Sequence, residues 1–140
     1  MKRILYLLVA VLIAASNVFS QQVVDVKSGP PGLWQELGTI KVSDTINHDD
    51  IVFTGPAEFR SLKFKAIDGA VNIVNVNVIY QNGKVEQLNL KYLVPAGGES
   101  RVIDLNRNMA SLKLRRVTVW FHTDPPGNLQ TARLTLWGLK

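Results

Sequence analysis

Cysteine is absent from the 140 residues of this chain. Its absence excludes disulfide bonds, thiolate nucleophiles, zinc–thiolate sites and a lipid-modified N-terminal cysteine. Charged residues, at 19%, are too few for a disordered chain, and the 46% of hydrophobic residues are enough for a packed core. The length suits one domain and leaves no room for two of ordinary size.

Long apolar runs are missing except at the N-terminus. There, the positive residues Lys2 and Arg3 precede an uncharged apolar run over residues 4–15, and small residues follow at the positions that a signal peptidase reads. We therefore interpret residues 1–20 as a signal peptide, helical and cleaved before Gln21.

The alternative to a cleaved signal is an N-terminal membrane anchor, which needs about 20 apolar residues. The run is shorter than this and is interrupted by Ser16 and Asn17, so cleavage is favoured. We expect an exported protein, periplasmic or extracellular, with no membrane span once the signal is removed.

The charge balance indicates little about partners. The chain carries 16 Lys and Arg against 11 Asp and Glu, or +5; without Lys2 and Arg3 the counts are 14 against 11, or +3. No arginine-rich stripe or recognition helix accompanies this charge, so we expect no nucleic-acid partner. An anionic polymer of the cell envelope is compatible with it.

Amphipathic helices are also missing after residue 32, where period-two patterns follow one another. The predicted strands lie near residues 33–42, 50–54, 59–66, 70–80, 84–93, 100–105, 111–122 and 130–138. Turn-rich segments separate them, which is typical of an all-β antiparallel sandwich of about eight strands, jelly-roll or immunoglobulin-like. We expect residues 33–138 to form this single domain and residues 21–32 to form a flexible leader.

In two of the predicted strands, the apolar residues move partway along from odd to even positions or the reverse. In the first, Val71 and Ile73 share one parity, and the other parity holds Val74, Val76, Val78 and Tyr80. In the second, Leu112 and Leu114 are at even positions, and the apolar residues that follow, Val117, Val119 and Phe121, are at odd positions. Bulges near Ile73–Val74 and Arg115–Arg116 would keep both halves buried. The alternative is that these strands cross from one sheet to the other.

The Asn-Gly pair at 82–83 is the strongest turn signal, because both residues tolerate positive φ. A two-residue type I′ turn would pair Tyr80 with Val85, both inward, but would place Leu88 opposite a polar residue. We therefore predict either a further bulge at 86–87 or a longer loop.

The order and spacing of several elements resemble a family of small exported bacterial proteins known only as a domain of unknown function. The matching residues extend over nearly all of 33–138: Trp34, Leu37-Gly38, Asp50-Ile51-Val52, Phe59, Leu62, Asn82-Gly83, Gly98-x-Ser100, Ile103-Asp104-Leu105, the set Leu114, Val117, Val119 and Phe121, and Ala132-x-Leu134-x-Leu136-x-Gly138. The family usually has Tyr in place of Phe121. The resemblance implies an exported β-sandwich, and it implies no activity and no catalytic residues.

Groups suited to catalysis are few. The chain has two histidines, His48 and His122, and no Gly-x-Ser-x-Gly elbow presents a serine beside them. Paired carboxylates could serve a hydrolase of an envelope polymer, and the candidates are Glu58, Glu86, Glu99, Asp104 and Asp124. The sequence places no two of them face to face, so we expect neither catalytic residues nor a cofactor and keep the hydrolase as an alternative.

An oxygen-rich segment precedes the strand at 50–54. Its weak candidates for a calcium site are Asp44, Asn47, Asp49 and Asp50, since calcium prefers several carboxylate and amide oxygens. Such side chains more commonly bond local backbone N–H groups in turns, and we favour that interpretation. A calcium-stabilised carbohydrate-binding module is the alternative.

The strongest candidate for a functional surface is aromatic and basic. If Phe121 pairs with Ala132 in a hairpin of the last two strands, the outward residues come together: Arg116, Trp120, His122, Arg133 and Trp137. Trp and Arg are typical anchors of binding surfaces. The alternative is cross-strand pairing that only stabilises the sheet. Trp34 is expected to close one end of the core.

These observations favour an exported, non-catalytic β-sandwich with a binding or structural role in the cell envelope. Its partner would be a protein or an envelope polymer, held on the predicted aromatic and basic face.

Overall fold

A computed structural model describes residues 21–42, 47–106, 108, 113–123 and 132–140. This part of the chain contains ten strands. The strands are β1 (Gln21–Asp25), β2 (Trp34–Val42), β3 (His48–Thr54), β4 (Ser61–Ile67), β5 (Val71–Tyr80), β6 (Val85–Leu88), β7 (Tyr92–Val94), β8 (Ile103–Asp104), β9 (Leu114–Thr123) and β10 (Ala132–Leu139). Within these ranges no helix is long and apolar enough to cross a membrane. The predicted signal helix at 1–20 lies outside the described residues.

The strands form two sheets that pack face to face. The six-stranded sheet has the order β1-β3-β9-β5-β6, with β7 also paired to β5, and the four-stranded sheet has the order β2-β10-β4-β8. All neighbours are antiparallel except β1 and β3, so the predicted all-β sandwich is confirmed. The strand count exceeds eight because the predicted strand at 84–93 divides into β6 and β7, and because the leader supplies β1.

Residues 21–32 were expected to be a flexible leader, but their first five form β1. This strand runs parallel to β3, with Val24 beside Phe53, and the Val26 N–H donates to the Thr54 carbonyl at 2.8 Å. Val24 packs against the core and Val26 is buried, whereas Val23 faces solvent. The apolar positions 24 and 26 thus supply a short buried face, which anchors the segment to the sheet edge.

Both predicted bulges are confirmed where β5 pairs with β9. The register shifts between Ile73 and Asn75 on β5. It shifts again between Ile79 and Tyr80, which pair with Arg116 and Leu114 of β9, so the second bulge lies on β9. Each shift changes which face the following residues occupy, so both apolar phases of a strand reach the core. Val74, which the sequence placed in the inward set, is instead the extra residue of the first bulge and is 41% exposed.

The turn after β5 is the longer loop and not the two-residue turn. The Gly83 N–H donates to the Tyr80 carbonyl and the Tyr80 N–H to the Lys84 carbonyl, both at 2.9 Å, with Gly83 at φ 86°. This loop pairs Ile79 with Val85, so the predicted pairing of Tyr80 with Val85 is wrong. Val85 consequently faces outward, and Leu88 faces the core.

The phenol of Tyr80 couples the core to this hairpin. Its ring is fully buried, and its hydroxyl donates to Glu86 Oε1 at 2.7 Å. Burial, followed by the hydrogen bond and the charge of Glu86, raises the pKa of Tyr80 well above its ordinary value.

A raised folded-state pKa predicts loss of stability in alkali. Unfolded Tyr ionises near pH 10, so the stabilisation from Tyr80 is fully present below that pH and is lost as the pH rises above it. Tyr80→Phe should flatten the fall in the free energy of unfolding between about pH 9 and 11.5, measured by urea denaturation. Tyr92→Phe, the control, should keep the wild-type fall; an equally steep fall in Tyr80→Phe would contradict the assignment.

Gly138 on β10 allows two core side chains to approach the backbone. A Cβ added there would lie 2.7 Å from Phe59 Cδ1 and 2.8 Å from Leu37 Cδ1. Gly138→Ala should therefore lower the free energy of unfolding by about 1–3 kcal/mol through overpacking, measured by urea denaturation. Gly83→Asn is the control, since a Cβ at Gly83 meets nothing within 4 Å and Asn tolerates positive φ. Equal losses in the two variants would contradict this explanation.

Candidate functional site

The predicted hairpin of the last two strands does not form, because β9 and β10 belong to different sheets. Arg116, Trp120 and His122 lie on the outer face of the six-stranded sheet, whereas Arg133 and Trp137 lie on the outer face of the four-stranded sheet. The expected pairing of Phe121 with Ala132 and the single aromatic and basic face built on it are therefore wrong.

On the four-stranded sheet, Arg133 and Trp137 lie apart, and the indole Nε1 of Trp137 is enclosed without a hydrogen-bond partner among the described residues. Arg133 Nη2 pairs with Asp68 Oδ2 at 2.8 Å, and Trp137 lies half-buried between Glu36 and Lys63.

Trp34 also lies on this side of the sandwich and does not close the core as expected. The Lys63 ammonium is 4.4 Å from the centroid of the Trp34 ring and 3.3 Å from Glu99 Oε2. The ring thus already has a cation–π partner.

The six-stranded sheet presents a different aromatic side chain, Trp120, at the centre of its outer face. Cross-strand register places Trp120 between His48 on β3 and Asn75 on β5. The imidazole of His48 stacks against the indole, with ring centroids 6.2 Å apart and an interplanar angle of 24°. Cross-strand neighbours lie about 4.5–5.5 Å apart at Cβ, so one row of the sheet supplies this arrangement.

Two further rows of cross-strand neighbours on β3, β9 and β5 extend the surface beside Trp120. In the first row Thr118 lies between Asp50 and Asn77, and its Oγ1 donates to Asp50 Oδ1 at 2.6 Å. The second row centres on Arg116. Together the rows line an open groove of about 410 Å³, here called the Trp120 groove, formed by His48, Asp50, Asn77, Ile79, Val85, Arg116, Thr118 and Trp120.

Two polar atoms in the Trp120 groove lack protein partners. Asn77 Oδ1 and Arg116 Nε are enclosed, and neither makes a hydrogen bond with the part of the chain that the structure describes. Enclosed polar atoms without partners are rare and costly in proteins. The wall of the groove therefore holds one acceptor and one cationic donor that are enclosed and lack hydrogen bonds, next to an indole face.

The sequence indicated only part of this site. Arg116, Trp120 and His122 came from β9, and His122 lies one row beyond the groove, opposite Asn72. The sequence connects neither His48 nor Asp50 nor Asn77 with Trp120. Strand alternation places Asn77 on an outer face, but only the pairing of β3, β9 and β5 identifies its neighbours.

The described candidate calcium ligands make separate contacts and do not converge on one point. Asn47 Oδ1 contacts His48 Nδ1 at 2.8 Å, and Asp49 Oδ1 accepts the Asp50 N–H at 2.8 Å. Asp49 and Asp50 lie on opposite faces of β3, and Asp44 is outside the described residues. In the ranges that the structure describes, no group of three or more His, Asp or Glu is arranged to hold a metal ion.

Three of the carboxylates considered for a hydrolase have separate partners. Asp104 accepts from Ser61 Oγ at 2.7 Å, Glu86 binds Tyr80, and Glu99 pairs with Lys63. Asp124 lies outside the described residues. Asp50 is the one carboxylate that lines the Trp120 groove in the described part of the chain.

The bond from Thr118 to Asp50 should hold the floor of the groove. Thr118 is nearly buried, and a hydroxyl bond to a carboxylate is worth about 1.5–3 kcal/mol. Thr118→Val keeps the shape and the β-branch but removes the donor, so urea denaturation should show a loss in that range. Thr118→Ser keeps the donor and should lose less; a more stable Val than Ser variant would contradict the assignment.

Comparison with known proteins places the chain in a family. No curated protein matches it. Among solved structures, Pseudomonas aeruginosa AlgX is 17% identical with a TM-score of 0.47, over 70% of this chain and 25% of AlgX. The SPBc2 prophage-derived protein YomS is 9% identical with a TM-score of 0.40, over 81% of this chain and 100% of YomS. The chain thus spans a quarter of AlgX, and neither likeness bears on function. The family Domain of unknown function (DUF2541) matches residues 6–138, and the chain belongs to it.

Proposed function

We propose that this protein is an exported, non-catalytic binding module that holds a polysaccharide of the cell envelope in the Trp120 groove. The observation that carries the proposal is the indole of Trp120 on an open sheet face, next to enclosed polar atoms that have no protein partner. The apolar N-terminal run, with the features of a signal peptide, supports export.

The chemistry of the groove suits a sugar. A pyranose ring has an apolar C–H face and a rim of hydroxyls, and an indole offers a broad, rigid apolar face for stacking. Asn77 Oδ1 would accept a hydroxyl proton and Arg116 Nε would donate to a hydroxyl oxygen. Both atoms lack such partners among the described residues, so a ligand would satisfy them after a side-chain rotation that uncovers them.

The form of the groove favours a polymer over a small molecule. It is an open depression across β3, β9 and β5, whereas sites for small molecules enclose most of the ligand. An extended chain can pass through an open groove and bind at several residues along its length.

Binding is favoured over hydrolysis on a specific observation. Most glycoside hydrolases use two carboxyl groups about 5–9.5 Å apart. Among the described residues Asp50 alone supplies a carboxylate to the Trp120 groove, and its Oδ1 already accepts the Thr118 hydroxyl.

Removing the indole tests the proposed site. Trp120→Ala should weaken binding of a soluble envelope polysaccharide about 30-fold, a loss of ~2 kcal/mol that is typical of an aromatic anchor. Isothermal titration calorimetry with purified envelope glycans measures the affinity, and far-ultraviolet circular dichroism confirms that the variant is folded.

Trp137→Ala is the matched control, since it removes an indole from the outer face of the opposite sheet. It should bind like the wild type. Equal losses in both variants would reject the Trp120 groove as the site. Wild-type protein that binds envelope proteins but no glycan would reject the polysaccharide in favour of a protein partner.

A further inference from the structure

A second groove adjoins the Trp120 groove and lies between β5 of the six-stranded sheet and the segment before β8 that carries Arg101. It has a volume of about 620 Å³ and is lined by Val74, Asn75, Asn89, Lys91 and Arg101. Two of these five residues are cationic and two are amides, so the groove differs in charge from the aromatic surface beside it.

The second groove is built on anchored backbone. The first bulge of β5 turns Val74 outward, and buried Leu90 fixes the segment that carries Asn89 and Lys91. Next to Arg101, the buried Ser100 hydroxyl accepts the Phe64 N–H and contacts the Arg101 carbonyl, both at 2.9 Å. These anchors place the two cations on the same side of the sheet edge.

Asn75 connects the two grooves. It lines the second groove, and it is the cross-strand neighbour of Trp120 in the pairing of β5 with β9. A ligand that stacks on Trp120 therefore needs to extend by only about one strand spacing, roughly 5 Å, to reach the second groove.

The cations along this surface are uncompensated. Among the described residues, Lys91, Arg101 and Arg116 make no ion pair; the ion pairs there join Lys63 to Glu99 and Arg133 to Asp68. The two grooves thus hold three cations against the single carboxylate of Asp50, and an excess of positive charge attracts and orients an anionic partner.

We infer that the polysaccharide is acidic, with a sugar ring stacked on Trp120 and the carboxylate of a neighbouring sugar bound between Lys91 and Arg101. This inference rests on the proposed function and adds the charge of the ligand to it. A planar guanidinium and a flexible ammonium together suit a carboxylate, which accepts charge-assisted hydrogen bonds from both. Arg116, at the other end of the Trp120 groove, would meet a second carboxylate along the same chain.

A pair of polymers that differ only in charge tests the inference. The probes are polygalacturonate, which carries a carboxylate on each sugar, and its fully methyl-esterified form, which is neutral. The wild type should bind polygalacturonate at least tenfold more tightly than the ester at low ionic strength. Raising the salt concentration should reduce this preference, because exposed charges are screened.

The variant Lys91→Gln/Arg101→Gln should bind polygalacturonate about tenfold or more weakly and the neutral ester as the wild type does. The control Lys41→Gln/Lys65→Gln changes the net charge equally but acts on the outer face of the four-stranded sheet, so it should leave both affinities unchanged.

The outcomes separate this inference from the proposed function. If the wild type binds both polymers equally, or if the two double variants behave alike, while Trp120→Ala still loses binding, the acidic ligand is wrong and the binding function stands. If the wild type binds neither these polymers nor the envelope glycans, the proposed function falls and the inference falls with it.

Discussion

The burial of alternate residues along β9 is the constraint on which the rest of the structure depends. This strand lies between β3 and β5, and Val117, Val119 and Phe121 must face the opposite sheet. Because side chains alternate, the same register turns Thr118 and Trp120 outward. A slip of one residue would bury the polar set and expose the apolar one, so core packing also sets the composition of the candidate site. The two bulges in the pairing of β9 with β5 preserve this arrangement where the apolar residues move to the other parity.

The two outer faces of the sandwich differ in how their aromatic and charged groups are used. On the four-stranded sheet, Lys63 covers the Trp34 ring and pairs with Glu99, and Arg133 pairs with Asp68. On the six-stranded sheet, Asn77 Oδ1 and Arg116 Nε are enclosed without partners among the described residues, and both side chains line the Trp120 groove. The four-stranded sheet has one such atom, Trp137 Nε1. Groups left unsatisfied in a folded protein are expected at functional sites, where a ligand completes them. The proposed binding surface is on the six-stranded sheet because both of its unpartnered atoms belong to residues that line one groove with Trp120, although both sheets carry tryptophan.

A β-sandwich by itself does not define a function, since this architecture carries many unrelated activities. Membership of the DUF2541 family accordingly identifies the chain without assigning it a reaction. The proposed function depends on a few side chains on a rigid sheet. Strands hold such side chains at set spacings, so a ligand can bind without an accompanying change in the backbone.

Local pattern in the sequence determined most of the strands, most of the core and both bulges, because alternation and turn chemistry act between residues close in the chain. Tertiary structure alone decided which strands became neighbours. The chain passes from β9 in one sheet to β10 in the other, which separates Trp120 from Arg133 and Trp137. Pairing with β3 and β5 instead brings His48, Asp50 and Asn77 to Trp120. Strand pairing between distant segments depends on how both sheets bury their inner faces together. The alternation of apolar residues within one strand therefore does not identify the strand that pairs with it.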